Sequence, residues 1–242
     1  MCKKAVLIIH GFSGGLWEME HLFNYLEFNS NYDVYAFTLP GHEKLIIKDV
    51  KYQQWIDSSI DMINMLKKRY KKIYLIGHSM GGVISTYLAS TNKEVKKLVL
   101  LAPAFDYMNL QQNKIDIKNK IKTHKNVIEK KEEAYKDIFG KLFSVPIKTF
   151  LEFRKLVKNY HDYPKEVKCK TLIMHGDEDE VIPLSSSLYA YNNINTKHKY
   201  YKVIKGVKHR FLISDKKADI NKYILSFLKG GLKWKKLKEL EF

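Results

Sequence analysis

The chain has 242 residues, 45% hydrophobic and 13% aromatic, with only 12 glycines and 5 prolines, which suits one good-sized core and excludes a largely disordered chain or two linked enzyme domains. Lys and Arg number 43 against 26 Asp and Glu, a formal charge of +17. Those lysines are spread along the whole sequence, with no zinc-finger spacing and no RNA-recognition signature, so no nucleic-acid partner is expected.

The chain opens on an apolar run, AVLII (5–9), too short for the roughly 7–15 residues of a signal peptide's central region. With no apolar stretch near the roughly 18 residues of a membrane span, a cytoplasmic address is expected. The two cysteines, Cys2 and Cys169, suggest no disulfide framework. Directly after this first β-rich run comes HGFSGG (10–15), a G-x-S-x-G pentad centred on Ser13.

A second run, YDVYAF (32–37), precedes LPGH (39–42) and the segment 53–70, where Ile56, Ile60, Ile63 and Lys67 keep helical spacing and Trp55, Met62 and Leu66 widen the apolar stripe. The third run, KKIYLIG (71–77), leads into GHSMGG (77–82), a second pentad centred on Ser79, and then into the helical pattern VISTYLAS. Strand, sharp turn and helix in that order make a nucleophile elbow, with Gly77 and Gly81 where a side chain would collide. Local spacing alone leaves Ser13 open, since it too lies between a strand and a helix. The context of GHSMGG favours Ser79.

KKLVLLA (96–102) is the fourth run. Residues 105–168 then carry no strand pattern, and so long an interval predicts an inserted helical cap or lid rather than an open loop. Ser144-Val145-Pro146 reads as a helix start. Phe150, Phe153, Val157 and Tyr160 share one face after it, as do Tyr135, Phe139 and Phe143 before it. KTLIMHG (170–176) and HKYYKVI (198–204) complete six runs. Helices are expected at SSSLYAYNNI, with serines suited to capping, and at DKKADINKYILSFLK. Near-continuous apolar strands alternating with helices predict a mostly parallel sheet covered on both faces, in a core of residues 1–104 and 169–242 with the cap at 105–168.

A serine hydroxyl needs a base to take its proton and an acid to orient that base. HGDEDEVIP (175–183) offers Asp177 or Asp179 at a strand end, and GVKHRF (206–211) offers His209. The order Ser, Asp, His is that of the α/β-hydrolases. Together, HGF, LPGH, GHSMGG, the G-x-x-D-x-x-I-P run and the late histidine resemble the carboxylesterase and monoacylglycerol lipase group of that superfamily, from residue 10 almost to Phe211.

The resemblance implies a strand order of 2-1-3-4-5-6, Ser79 as nucleophile, Asp179 as the acid and an oxyanion hole made by the backbone N–H groups of Phe12 and Met80. Glu43 stands where many relatives have a third glycine after LPGH, and the family's usual strands before the HG strand are absent, which implies a minimal sheet. The expected activity is hydrolysis of short to medium acyl esters or monoacylglycerols through an acyl-enzyme. An acyl thioesterase, a lysophospholipase and a non-catalytic ligand-binding protein on the same scaffold are the alternatives. Leu16, Trp17 and Met19 are candidate substrate contacts.

The other histidines, 10, 21, 42, 78, 124, 161, 175 and 198, show no metal-ligand spacing, and no metal or cofactor is expected. His10 and His42 are expected to brace their loops. In the tail, Leu232, Trp234, Leu237 and Leu240 are interleaved with lysines, a candidate for weak association with an anionic membrane surface.

Overall fold

The computed structural model describes residues 3–43, 49–106 and 146–231. Six strands, β1 (Lys4–Ile9), β2 (Tyr32–Ala36), β3 (Ile73–His78), β4 (Val95–Leu101), β5 (Lys170–Gly176) and β6 (Lys199–Ile204), form one sheet. Every neighbouring pair is parallel, in the order β2-β1-β3-β4-β5-β6. That order is the one implied by the family resemblance. It sets β1 beside β3, with Ile9 opposite Gly77, so the two glycine pentads leave the same edge of the sheet next to each other.

Helices α1 (Leu16–Asn29), α2 (Tyr52–Lys67), α3 (Met80–Thr91), α4 (Ile147–Tyr160), α5 (Leu184–Asn193) and α6 (Lys217–Lys229) cover the sheet. Because strand side chains alternate, Ala5, Leu7 and Ile9 pack toward α2, α3, α4 and α5, while Val6 and Ile8 pack toward α1 and α6. This two-sided burial explains why β1 and β3 are apolar almost end to end. On α2 the buried face is Trp55, Ile56, Ser59, Ile63 and Leu66. The Trp55 indole N–H donates to Pro40 O at 2.9 Å, tying the helix to the LPGH loop. Helix α6 ends at Gly230, whose φ of 88° suits the left-handed cap, and Gly231 N–H returns to Ser226 O at 2.8 Å.

The expectation that serines cap α5 does not hold. Pro183 is the cap residue and no side chain caps the turn. Ser186 and Ser187 face inward instead: Ser186 Oγ accepts Asp106 N–H at 2.9 Å and donates to Pro103 O, and Ser187 Oγ pairs with Tyr201 Oη at 2.8 Å. At this buried helix start the Ser186 hydroxyl serves the loop after β4 and the Ser187 hydroxyl serves β6.

Of the expected cap, residues 105, 106 and 146–168 are described, and α4 starts directly after Pro146. Phe153, Leu156 and Val157 are buried against the body. Asn159 Nδ2 donates to Tyr52 Oη at 2.8 Å and Thr149 Oγ1 to Asp49 at 3.1 Å. Tyr135, Phe139, Phe143 and Ser144 lie outside the described residues, as does the tail 232–242. Among the described residues no helix is long and apolar enough to cross a membrane.

Candidate active site

Ser79 follows β3 and immediately precedes α3, with φ 53° and ψ −117°. A non-glycine residue seldom adopts that conformation. Here three backbone bonds hold it: Ser79 N–H donates to Leu101 O at 2.9 Å, and Ser79 O accepts from Gly82 N–H at 2.9 Å and Ala104 N–H at 3.1 Å. The turn also needs its glycine, because a Cβ at Gly81 would overlap the carbonyl oxygens of Ile9 and His10. A Cβ at Gly11 would lie 3.0 Å from Ser79 Cβ. The β1 loop and the elbow thus touch through residues without side chains.

His209 lies on the loop after β6, and its Nδ1 is 2.7 Å from Asp179 Oδ2. A carboxylate only accepts, so Nδ1 carries a hydrogen, and in the neutral tautomer that leaves Nε2 with a lone pair. Asp179 is 1% exposed at its side chain. Its Oδ1 accepts the N–H groups of Val181 at 2.9 Å and Ile182 at 2.8 Å. Burial alone would raise its carboxyl; the hydrogen bonds from His175 and His209, the charge on His209 and the Ile182 N–H outweigh that and hold it well below the usual carboxylate range. The rival, Asp177, points elsewhere and accepts Gly206 N–H at 2.6 Å.

His209 reaches the elbow through His78. The two rings are 4.9 Å apart, and His78 Nε2–H donates to His209 O at 3.1 Å. Among the described residues, no hydrogen bond joins the Ser79 hydroxyl to the His209 ring, and neither Phe12 N–H nor Met80 N–H donates to protein. Both amides therefore remain available where β1 and α3 meet.

Around them Phe12 stacks on Phe153 with ring centroids 4.9 Å apart and meets Trp55 at 5.8 Å and His42 at 6.1 Å. Leu16 and Trp17 stand exposed at the start of α1, and the Arg210 guanidinium lies 5.4 Å over the Trp17 ring. Met19, the third expected substrate contact, packs instead in the core beneath α1 with Val6, Ile8 and Leu22, since it falls on the helix face turned to the sheet.

Two features were not singled out by sequence. Glu18 is buried on α1, with Arg210 Nε at 3.5 Å and His78 Nδ1 at 3.9 Å; being four residues before Leu22 is the signal that places it on the inner face. His175, at the end of β5, contacts Asp179 Oδ2 at 3.1 Å.

His10 and His78 are both buried and neutral. His10 donates from Nδ1 to Gly11 O and accepts Leu39 N–H on Nε2, bracing two loops as expected. Burial, more than the nearby His42, lowers its pKa from 6.5 to about 4. Burial and then the charge of His209 lower His78 to about 3, so its contact with Glu18 is not an ion pair. Between pH 6.5 and 4 the unfolded chain then binds more protons than the folded one, and stability falls as pH falls. Each imidazole is expected to remove about 2 kcal/mol between pH 7 and pH 5. Urea unfolding at the two pH values checks this: H10N should lose about 2 kcal/mol less than the parent chain, and equal losses would refute it.

The family model described as serine aminopeptidase, S33, matches residues 2–217. The chain belongs to this α/β-hydrolase family. A Mycoplasma pneumoniae member bearing an esterase/lipase name is 28% identical over 230 residues, covering 86% of this chain and 82% of its own. A Bacillus subtilis carboxylesterase is 22% identical over 230 residues, 93% and 92% of the two chains. The structure also resembles a monoacylglycerol lipase of Paleococcus ferrophilus, with a TM-score of 0.72 at 18% identity over 94% and 95% of the chains. That last likeness concerns the α/β-hydrolase fold.

Proposed function

We propose that the protein is a carboxylic ester hydrolase acting on short to medium acyl esters or monoacylglycerols through an acyl-enzyme on Ser79. The observation that carries the reading is the His209 Nδ1–Asp179 Oδ2 bond of 2.7 Å, on a loop packed against the residue before a strained elbow serine. In this scheme His209 Nε2 takes the Ser79 proton as Oγ attacks the ester carbonyl. The tetrahedral oxygen receives the N–H groups of Phe12 and Met80, each such donor being worth about 3–4 kcal/mol in the transition state. His209 then protonates the leaving alcohol, and water, deprotonated by the same nitrogen, releases the acid.

The carboxylesterase and esterase/lipase names among the relatives support ester cleavage. An apolar acyl site is supported by the half-buried rings of Phe12 and Phe150, with centroids 6.5 Å apart, and by the exposed Leu16 and Trp17. The test is a hydrolysis panel of p-nitrophenyl esters from acetate to palmitate, monoacylglycerols, acyl-CoA and an aminoacyl p-nitroanilide. Short to medium esters or monoacylglycerols should give the highest kcat/KM. A preference for acyl-CoA would turn the reading to a thioesterase, and cleavage of the anilide alone would turn it to a peptidase.

A further inference from the structure

We propose that His175 is a positioning residue for this site, setting its Nε2–H against Asp179 Oδ2 and so fixing and sharing the oxygen that holds His209. The inference rests on the proposed Ser79, Asp179 and His209 assignment and deepens it.

His175 Nε2 lies 3.1 Å from Asp179 Oδ2 and 3.1 Å from Ile182 O. Both neighbours are acceptors, so Nε2 carries the hydrogen; Ile182 O takes the hydrogen bond, and Asp179 Oδ2 lies in contact with the same nitrogen at the same distance. Asp179 Oδ1 accepts the N–H groups of Val181 and Ile182, and Oδ2 accepts His209 Nδ1–H with His175 Nε2 in contact beside it. Three hydrogen bonds, from the turn and the His209 loop, and the His175 contact from the strand end leave the carboxylate no free rotation.

His175 itself is fully buried, and among the described residues its Nδ1 has no hydrogen-bond partner. An unpaired buried nitrogen is unfavourable, and a leucine would serve packing better. The position gains something only through its other nitrogen. Asp179 Oδ2 also divides its charge between two imidazoles, so His175 moderates how strongly the carboxylate stabilises a protonated His209.

The other charged or titratable groups around this cluster are His78, against the His209 ring, Glu180, whose Oε2 accepts His209 N–H at 3.4 Å, Asp177, turned to Gly206, and the Arg210–Glu18 pair next to His78. None of them reaches Oδ2 within hydrogen-bonding distance.

The test compares H175L, which removes the donor, with H175Q, whose amide nitrogen reaches the place of Nε2. In H175L kcat should fall about tenfold through a slightly displaced His209, with KM within about twofold. The acid limb of the kcat profile should move up by about half a pH unit, because Oδ2 freed of one donor favours the imidazolium more. H175Q should recover most of both. An unmoved limb in H175L, or a loss that H175Q does not recover, would reduce His175 to a packing residue. If H175L does not fold, H175N, too short to reach Oδ2, is read in the same way. Fluorophosphonate labelling of the parent chain runs alongside: absence of label on Ser79 would reject the underlying assignment, whereas label on Ser79 with an unmoved limb would reject only the role of His175.

Discussion

Ser79→Ala is expected to lower ester hydrolysis by about 10⁶-fold in kcat, while Ser13→Ala keeps most of the activity. Both serines sit in a glycine pentad, both follow a strand, and both have positive φ, 53° for Ser79 and 56° for Ser13. Their surroundings differ. Ser79 is held at the start of a 12-residue helix by bonds to the end of β4 and to Ala104 just after it, and its neighbour His78 packs on the ring of His209. Ser13 lies in the turn closed by Gly14 N–H to Gly11 O at 3.3 Å, a turn whose task in the proposed mechanism is to aim the Phe12 amide. Alanine at 79 removes the attacking oxygen and leaves the amides in place, so binding survives and chemistry does not. Alanine at 13 meets the same positive φ that serine already tolerates. Fluorophosphonate labelling and a p-nitrophenyl ester assay on both variants decide the matter; label that persists in Ser79→Ala and vanishes in Ser13→Ala would reverse the assignment.

The sheet was legible because its information is local. Each of the six apolar runs became a strand, and a parallel sheet buried on both faces demands such runs. The elbow was legible for a related reason: close approach of Gly81 to Ile9 O and His10 O forbids a side chain, and a sequence shows a missing side chain directly. Choosing Asp179 over Asp177 needed the family pattern, since two carboxylates two residues apart differ only in which loop each faces. Met19 was misplaced because the first turn of α1 offers apolar residues to both the rim and the core, and only the docking of the helix divides them. His175 gave no signal of its own. Its role depends on a contact with Oδ2 that arises when the turn after β5 folds back, and no spacing rule describes that turn.

Asp179→Asn is expected to lower kcat by about 10⁴-fold, and Asp177→Asn to leave most of the activity. Oδ1 of Asp179 accepts two backbone N–H groups, from Val181 and Ile182, so an asparagine must turn its carbonyl oxygen that way. Its NH₂ group then faces His209 Nδ1 and His175 Nε2. Two donors cannot share a hydrogen bond, so His209 must place its proton on Nε2 and accept at Nδ1. That tautomer points N–H at Ser79 and has no lone pair with which to take the hydroxyl proton. The geometry survives and the base is lost, which is why the loss should appear in kcat rather than KM. At position 177 the amide oxygen can still accept Gly206 N–H, so the turn keeps its bond. Steady-state kinetics on the two variants test the argument directly: Asp179→Asn within tenfold of the parent chain, or a collapse confined to Asp177→Asn, would mean that His209 draws its orientation from another group.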